Sequence, residues 1–497
     1  MASESNAKSI FEKSRKGQRA YSLPKSDSEF DRFQPASDLL RKTEIPLPEV
    51  SELDLMRHFS SLAKKTIGID THFYPLGSCT MKYNPRVNEQ VASMPGFSKC
   101  HPLAPDETVQ GNLEVADNLI RGLCELSGMT AGTLAPNAGA QGELTGVLMI
   151  RAYHRKRGDF HRTEMLIPDN AHGTNPATAA MAGFKIVSLK TDSQGNLDPD
   201  HLQEAISERT AGLMMTNPNT LGLFDVNIAK ASALLHKHGA LLYYDGANLN
   251  AIMNIVKPGE MGFDVMHLNL HKTFSTPHGG GGPGSAPVLC NEKLAPFLPV
   301  PRIVYKDGKY TTSSDFPDSI GRISTFQGNF AVCVRAYMYY LLHGNYGLRS
   351  VSEAAVLNAN YLKKKISAIV TIPFPRFCMH EFVISTEKYL ADGIKAYDIA
   401  KRILDYGCHS PTVYFPLIVK ECMLIEPTET ESKEMLDEFA GILENIVGEI
   451  KSDPDILRGA PHTLSVARLD EARAVKCPIF RHSAANENPS IQGEFYE

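Results

Sequence analysis

Lys272 is the residue of this sequence whose type and position most directly suggest chemistry. It lies in the stretch LNLHKTFSTPHGGGGP, from Leu268 to Pro283, just ahead of a run of four glycines. The segment Phe263 to Leu270 alternates apolar and polar residues and predicts a strand, so Lys272 is expected where a strand gives way to a loop. Open α/β sheets keep their chemistry at such strand ends, and a desolvated lysine can form a Schiff base with an aldehyde. The ordinary alternative is a surface lysine beside a turn.

Asp245 is a second candidate, because it closes the apolar segment Ala240 to Gly246. A carboxylate at the end of an apolar strand is costly unless it meets a cation or a hydrogen-bond donor. The interval between Asp245 and Lys272 has room for one strand and its connections, so neighbouring strands would aim both side chains at one ligand. A helix cap or a turn is the alternative role for this aspartate.

The segment Asn137 to Gln141 belongs to a small-residue loop that runs into a helical segment, Leu144 to Tyr153. Small residues ahead of a helix leave backbone N–H groups accessible and let an anion approach closely, which predicts a phosphate cradle. The loop lacks the Gly-Lys-Ser/Thr ending of a nucleotide-binding P-loop. A plain helix cap remains the alternative.

Composition excludes several classes of protein. The 497 residues carry a net charge of −5, which argues against nucleic acid or an anionic membrane as the main partner. The nine cysteines form no CxxC pair, so neither a zinc site nor a disulfide framework is predicted. No apolar run approaches the roughly 18 residues of a membrane span, and the N-terminus has no signal-peptide core. We therefore expect a soluble, cytoplasmic protein.

The order of predicted elements indicates an α/β fold. Short apolar strands alternate with helices from Met165 to Gly246, which predicts a mainly parallel sheet, and a second α/β unit follows from about residue 370. Residues 1–50 are polar and proline-bearing, which predicts an extended arm. One helix is expected over residues 105–128, and residues 305–329 are expected to be rich in loops.

The loop from Tyr74 to Pro85 is interpreted either as a tight connection or as the wall of a site. It carries Cys79, for which packing is the ordinary role, since no partner histidine in a catalytic context is evident.

One cofactor accounts for the candidate residues together. Pyridoxal phosphate needs a lysine for its aldehyde, an acid for its ring nitrogen, an anion cradle for its phosphate and often an aromatic ring against its face. Lys272, Asp245, the loop Asn137 to Gln141 and His172 would supply these in turn.

Nine segments carry a resemblance to a known family. They are YPLGSCTMKYNP, HPLAP, PNAGAQGE, DNAHGTNPA, TNPNTLGLF, YYDGANLN, LNLHKTFSTPHGGGGPG, GCHSPTVYFP and LIEPTETESKEMLD. Together they resemble the pyridoxal-phosphate-dependent glycine decarboxylases, or P-proteins, of the glycine cleavage system. The chain looks like the catalytic second half of such an enzyme made as a separate subunit. This implies a homologous first subunit in an α2β2 assembly, and the fold-type I architecture of aminotransferases. The implied domains are a large one over 51–345 and a small one over 346–497 that ends in another arm.

The resemblance also implies roles for individual residues. Lys272 would bind the cofactor aldehyde, Asp245 would pair with the ring nitrogen and His172 would stack on the ring. The matched motifs imply six further cofactor contacts: the phosphate loop Ala138, Gly139 and Ala140, the possible phosphate ligands Asn269 and His271, and, more weakly, Asn217 at the phenolic oxygen. Arg86 and Arg322 remain open alternatives for the glycine carboxylate, and the thiol of Cys79 receives no chemical step.

The implied reaction is decarboxylation of glycine, with transfer of the aminomethyl group to the lipoyl arm of the H-protein. A channel for that arm is expected beside Gly279 to Gly282, where the lack of side chains permits close approach. Two alternatives stay open. One is another fold-type I enzyme, such as a cysteine desulfurase or an amino-acid decarboxylase without a lipoyl carrier, and the other is a non-catalytic scaffold subunit.

Overall fold

A computed structural model describes residues 8–23, 35–43, 45, 47–279, 284–478 and 480. The chain forms two compact units, residues 1–68 and 69–497, and each is described by itself. In the first unit, helix α1 (Glu52–Ala63) begins where the Ser51 side chain accepts a hydrogen bond from the backbone N–H of Asp54. The backbone N–H of Arg15 donates to the carbonyl of Glu49 at 2.8 Å, which ties the preceding segment together. The predicted arm over residues 1–50 lies within this unit and partly outside the described residues.

The second unit is built on a seven-stranded sheet. Its strands are β1 (Ala131–Thr133), β2 (Glu164–Pro168), β3 (Lys185–Leu189), β4 (Thr210–Met215), β5 (Leu241–Gly246), β6 (Val265–Leu268) and β7 (Val288–Cys290). Their order is β1-β7-β6-β5-β4-β2-β3. Strands β2 to β6 are parallel, and β7 runs antiparallel to both β6 and β1. The predicted α/β fold with a mainly parallel sheet is therefore confirmed.

Helices cover both faces of this sheet. Helices α4 (Gln110–Ser127) and α8 (Ile228–Lys237) pack in one apolar cluster, and α5 (Gly139–Lys156) and α6 (Thr174–Met181) pack in another. The other helices of this part of the chain are α2 (Arg86–Ala92), α3 (Pro95–Ser98), α7 (Pro199–Ala205) and the one-turn α9 (Leu270–Thr273). Successive residues of β5 enter different cores: Leu242 and Tyr244 pack in one apolar cluster, and Leu241 and Tyr243 pack in another. Because both faces of the strand are buried, its sequence is a continuous apolar run and does not alternate between apolar and polar residues.

The remainder of the unit carries two small sheets. A hairpin joins β8 (Arg302–Lys306) to β9 (Lys309–Ser313), and an antiparallel sheet has the order β10-β12-β11, with β10 (Phe382–Ser385), β11 (Thr412–Val413) and β12 (Cys422–Ile425). The helices of this region are α10 (Phe330–Ile366), α11 (Ala396–Asp405), α12 (Lys433–Ser452), α13 (Pro454–Gly459) and α14 (Glu471–Lys476). The described residues also form 3₁₀ turns at Asp106–Thr108, Ala295–Phe297 and Glu387–Asp392. The small sheet packs with α11 and α12 around an apolar core of its own.

Helix α10 is interrupted at Gly344, which has φ 54° and ψ −172°. The predicted boundary between a large domain ending at 345 and a small domain starting at 346 falls beside this interruption, and it stays a prediction. Among the residues that the structure describes, no helix combines the length and apolar character needed to cross a membrane.

Three local predictions need correction. The segment Tyr305 to Ser313 is a hairpin rather than loop, and its Asp307-Gly308 turn, with φ 52° and 77°, is the kind of signal that favours a tight hairpin. The expected helix over 105–128 begins only at Gln110, after a 3₁₀ turn, and ends at Gly128 in the left-handed conformation. Lys272 lies in the one-turn helix α9 rather than in an open loop.

Gly222 provides a test of how the small sheet is fixed to the large one. It has φ 76°, and a Cβ there would collide with the backbone of Glu381. Gly407 has a similar φ of 79° with open space around it, so Gly407→Ala isolates the backbone strain, about 1–2 kcal/mol. We expect Gly222→Ala to lower the free energy of unfolding by a further ~1–3 kcal/mol in urea titrations, because of overpacking. Equal losses for the two variants would contradict this arrangement.

Candidate active site

A cavity lies beyond the carboxyl ends of the central parallel strands. Thr216 follows β4, Asp245 lies near the end of β5, and Lys272 follows β6, so three neighbouring strands aim side chains at one place. The full lining is Ser78, His172, Thr216, Pro218, Asn219, Thr220, Asp245, Ala247, Asn248, Lys272, His380 and Glu381. Lys272, Asp245 and His172 therefore share one cavity, at the carboxyl ends of the strands, where α/β folds bind ligands.

Lys272 is buried, with 7% of its surface exposed. The one-turn helix α9 begins directly after Asn269 and turns the lysine back towards the cavity. Its Nζ atom donates a hydrogen bond to the backbone carbonyl of Ser78 at 2.7 Å. The loop from Tyr74 to Pro85 is thus a wall of the site, and it is the backbone of Ser78 rather than the thiol of Cys79 that meets the lysine.

Asp245 is a buried carboxylate held by neutral donors. The Asn175 side-chain amide donates to Oδ2 at 2.8 Å, and the backbone N–H of Ala247 donates to Oδ1 at 3.0 Å. Burial raises the pKa of Asp245, but the histidines His267 and His172 and these two donors outweigh it, so that the pKa lies below its ordinary value. Asp245 is therefore an anion at neutral pH.

A buried histidine supports Asp245 from behind. His267 Nε2 lies 3.4 Å from Asp245 Oδ1, and Nδ1 lies 2.7 Å from the Tyr243 hydroxyl. Burial lowers the pKa of His267 and raises that of Tyr243 well above its usual value, so both are neutral. A Tyr243 hydroxyl that donates to Nδ1 leaves the imidazole proton on Nε2, facing Asp245. At neutral pH the contact between His267 and Asp245 is thus a polar contact with a neutral ring, and the ring lowers the pKa of Asp245 by its charge only when it is protonated.

Glu143 shares its donors with Asp245. Asn175 Nδ2 also lies 3.2 Å from Glu143 Oε2, while Thr174 and Thr178 donate to Glu143 at 2.6 and 3.1 Å. Burial, and then the neighbouring Asp245 charge, raise the pKa of Glu143 to about 7. Glu143, Asp245 and His267 also satisfy the spacing of a metal site. Their oxygens already accept hydrogen bonds from amides and hydroxyls, so the group is a hydrogen-bond network around one carboxylate.

His172 lies at the mouth of the cavity, partly buried. Its Nδ1 atom lies 2.8 Å from the Thr174 hydroxyl, and its ring meets Phe415 edge-on at 5.6 Å. Burial lowers the pKa of His172; Asp245 opposes the shift and Lys272 adds to it. A neutral, flat imidazole beside Lys272 and Asp245 suits stacking against an aromatic ring.

The predicted phosphate loop forms the start of α5. Ala138 is the N-cap residue, and Ala138 and Ala140 are exposed. The first N–H groups of a helix have no acceptor within it and attract anions. Asn269 lies against this turn: a Cβ on Gly139 would come within 2.9 Å of Asn269 Nδ2, and the buried Asn269 Oδ1 has no partner. A side chain at 139 would fill this cradle, and the Asn269 Nδ2 group beside Gly139 could donate a hydrogen bond to a phosphate oxygen.

His271 is not among the residues that line the cavity. Its ring meets that of His278 at 5.1 Å, and the backbone N–H of Ser285 lies 3.5 Å from Nδ1. Burial, reinforced by His278 and Lys272, lowers the pKa of His271 to about 3. His271 is therefore a neutral ring, able to offer a phosphate a hydrogen bond but no charge.

The structure does not bring Asn217 into the cavity lining. Its amide oxygen accepts from the backbone N–H of Asp225 at 2.9 Å, and its amide nitrogen lies 3.4 Å from the Asp225 carbonyl. The side chain is committed to closing the turn after β4, while its neighbours Thr216 and Pro218 reach the cavity. The assignment of Asn217 to the phenolic oxygen stays a prediction, which these contacts do not favour.

Neither candidate arginine lines the cavity. Arg86 pairs with Asp70 at 2.7 Å on the surface, and Arg322 is exposed. Within the described residues, the cavity lining contains no arginine at all. Of the four glycines expected to border a channel, Gly279 is described, and residues 280–282 lie outside the described residues.

The sequence reasoning missed an acidic wall of the cavity. His380 and Glu381 precede β10 and line the cavity, and Glu426, directly after β12, lies behind them. One imidazole nitrogen of His380 and one carboxylate oxygen from each glutamate lie within 4.8 Å of one another. A signal was present, because each glutamate borders an apolar strand, as Asp245 does.

The residues present fit pyridoxal phosphate. A buried lysine, a buried anionic carboxylate and a neutral imidazole share one cavity, and a helix N-terminus with an unpartnered amide stands beside them. These are the parts that this cofactor needs for its aldehyde, its ring nitrogen, its ring face and its phosphate.

Comparisons with known proteins identify the relatives of this chain. The family model described as glycine dehydrogenase, C-terminal domain, matches residues 351–462, and that of the class-V aminotransferases matches residues 149–281. A "Probable glycine dehydrogenase (decarboxylating) subunit 2" of Thermosipho melanesiensis is 54% identical over 479 residues, which cover 96% of this chain and 100% of the relative. A protein of the same name from Staphylococcus saprophyticus is 52% identical over 95% of this chain and 96% of its own.

Solved structures confirm the fold. A crystal structure of glycine decarboxylase (P-protein) of the glycine cleavage system, in inhibitor-bound form, has a TM-score of 0.70 at 19% identity. It covers 84% of this chain and 94% of its own. A cysteine desulfurase from Thermococcus onnurineus has a TM-score of 0.58 at 14% identity, over 76% of this chain and 95% of its own. From the sequence relatives, we conclude that the chain belongs to the family of glycine dehydrogenase (decarboxylating) subunit 2.

Proposed function

We propose that this chain is the catalytic subunit of a glycine decarboxylase that uses pyridoxal phosphate. Glycine loses its carboxyl group as CO2, and the aminomethyl group passes to the lipoyl arm of an H-protein. The observation that carries the proposal is the convergence of Lys272, Asp245 and His172 on one cavity, in a chain whose relatives bear the name glycine dehydrogenase (decarboxylating) subunit 2.

Each residue has a stated task. Lys272 would hold the cofactor aldehyde, Asp245 would keep a proton on the ring nitrogen, and His172 would cover the ring face. The N–H groups of Gly139 and Ala140, with Asn269, would hold the phosphate. When bound, pyridoxal phosphate supplies an electron sink for the electron pair left as CO2 departs.

The charged residues that line the cavity are compatible with loss of the glycine carboxylate as CO2. An arginine clamp would stabilise the group that must leave, and the described cavity lining has none. Asp245 stays ionised because its pKa is depressed, so its charge persists as the pH falls below the ordinary range of an aspartate.

Partners and location complete the proposal. The name of the relatives as subunit 2 supports a homologous first subunit, and we place the two in an α2β2 assembly that docks the H-protein. All nine cysteines lie in the described part of the chain as free thiols, which supports a reducing compartment such as the cytoplasm.

Replacing Lys272 by alanine tests the function directly. Wild-type chain with its first subunit should catalyse glycine-dependent exchange of labelled bicarbonate, and added lipoyl H-protein should raise the rate. Lys272→Ala should lose the visible absorbance of the bound cofactor and at least ~10³-fold of the exchange rate, since covalent anchoring is removed. Lys306→Ala, at the end of β8 and outside the cavity lining, should behave as wild type. Exchange that ignores H-protein would favour a decarboxylase without a lipoyl carrier, and a wild-type chain without visible absorbance would indicate a scaffold subunit.

Asp245→Asn tests the ring-nitrogen partner. The asparagine keeps an oxygen for the Asn175 amide but loses the charge, so we expect a folded protein whose exchange rate falls ~10²-fold or more. Cofactor affinity, measured by fluorescence quenching, should fall as well. Asp169→Asn, a change on the rim of the sheet outside the cavity lining, serves as control. An unchanged rate in Asp245→Asn would remove Asp245 from the mechanism.

A further inference from the structure

A pair of buried glutamates stands beside Lys272 and has no part in the function proposed above. Glu381 is 3% exposed and Glu426 is 1% exposed. Their nearest carboxylate oxygens and an imidazole nitrogen of His380 lie within 4.8 Å of one another. Two carboxylates at such a separation in a dry site cannot both ionise readily, so the pair retains a proton.

The hydrogen bonds divide the roles within the pair. Glu426 accepts from the Thr80 hydroxyl and from the Asn250 amide on one oxygen, and its other oxygen lies 3.5 Å from Asn248 Nδ2. Several neutral donors favour the ionised form. Within the described residues, Glu381 receives one hydrogen-bond donor, the backbone N–H of Ser78. Glu426 is therefore the better site for the charge, and Glu381 for the proton.

One residue joins this pair to the lysine. The backbone N–H of Ser78 donates to Glu381 Oε2 at 2.7 Å, and the carbonyl of the same residue accepts from Lys272 Nζ at 2.7 Å. Ser78 has φ 65°, a left-handed conformation that a serine adopts only when its surroundings impose it. Glu381 thus binds the backbone N–H of Ser78, and Lys272 binds the backbone carbonyl of the same residue. Both side chains line the same cavity.

The pKa directions agree with this division. Burial, and then the Glu426 charge, raise the pKa of Glu381 well above its usual value. Burial raises the pKa of Glu426 to about 7, against the donors and Lys272. Each carboxyl is therefore protonated below its raised pKa and ionised above it, and Glu426 ionises first as the pH rises.

The other charged groups around the pair are few. The Lys272 amine faces both carboxyls from α9, and His380 Nε2 lies 3.9 Å from Glu381 Oε1 with its pKa lowered by burial to about 3. The Cys378 thiol, with its pKa raised to about 11 by burial, is neutral. Glu429 also faces Glu426, but its charge is matched by Lys82 at 2.6 Å. Lys272 is thus the group facing the pair whose amine must change its protonation state during the reaction.

We propose that Glu381, kept protonated by the neighbouring carboxylate of Glu426, passes its proton to and from the amine of Lys272. The inference rests on the proposed function of Lys272 as the lysine that glycine displaces. In the forward direction the O–H bond of Glu381 breaks and an N–H bond forms on the released amine, giving an ammonium group beside two carboxylates. In the reverse direction the proton returns to Glu381, so that the neutral amine regains its nucleophilic electron pair. Glu381 is then a general acid and base, and Glu426 is a positioning residue that acts through it.

The test measures the rate at which glycine displaces Lys272 in the full chain loaded with pyridoxal phosphate, by stopped-flow absorbance between pH 5 and 9. Glu381→Gln keeps an acceptor for the Ser78 N–H and loses the proton, so the rate near neutral pH should fall ~10²-fold or more and its pH dependence should flatten. Glu426→Gln removes the neighbouring anion, so the pH midpoint should move to lower pH while part of the rate survives. A role confined to packing would lower the rates without moving either profile, and that result would overturn the proposal.

Glu431→Gln is the matched control. Burial raises the pKa of Glu431 to about 7 as well, but Glu431 lies outside the cavity lining, so its loss should leave both rate and pH profile unchanged. An effect of Glu431→Gln equal to that of Glu381→Gln would overturn the proposal.

A second readout needs no cofactor. Infrared difference titration of the cofactor-free chain should show a protonated carboxyl band at neutral pH that is lost in Glu381→Gln and titrates at lower pH in Glu426→Gln. An ionised Glu381 at neutral pH would overturn the inference alone. A wild-type chain that binds no pyridoxal phosphate would overturn the proposed function, and the infrared result would still decide where the proton lies.

Discussion

The rest of the site depends on keeping the carboxyl group of Asp245 ionised although it is buried in the protein. An unpaired buried carboxylate is among the most costly groups in a protein interior. The chain meets that cost with an amide from α6, a backbone N–H beyond β5 and a neutral histidine on β6 that is fixed in turn by Tyr243. Glu143, which competes for the same amide, yields the charge because its own pKa rises. Because Asn175, the backbone N–H of Ala247 and His267 all contact the Asp245 carboxylate, its side chain has little freedom to reorient.

A parallel sheet explains why so many of these groups meet. Strands β4, β5 and β6 are parallel neighbours, so their carboxyl ends lie side by side. The residues that follow these strands are therefore brought together by the sheet itself. The loop from Tyr74 to Pro85 and the small sheet close this edge from the other side, through Ser78 and Glu381. The Lys82–Glu429 ion pair reinforces the closure, because Lys82 also donates to the carbonyl of Thr273, the residue after Lys272. The position of the lysine is thus fixed from both sides of the cavity.

Sequence reasoning could predict the parts of the site that follow local rules. Asp245 and Lys272 were recognisable because polar groups after apolar strands need a reason to be there, and the mainly parallel sheet follows from the alternation of strands and helices. The hydrogen bonds between Asn217 and Asp225 could not be predicted, because nothing local in the sequence shows which turn the amide closes. Glu381 and Glu426 escaped notice because they lie far along the chain from Ser78, and pairing over such a separation leaves no periodic trace. The hairpin at Asp307-Gly308 was missed although its turn signal was visible.

The most direct test of the central claim, that Lys272 anchors the cofactor in a cavity shared with Asp245, is chemical trapping. The full chain is incubated with pyridoxal phosphate, reduced with borohydride, digested and sequenced by mass spectrometry. The account predicts one modified peptide, the one that contains LNLHKTF, with the reduced pyridoxyl group on Lys272. A label on another lysine, or its absence from Lys272 at saturating cofactor, would contradict the account.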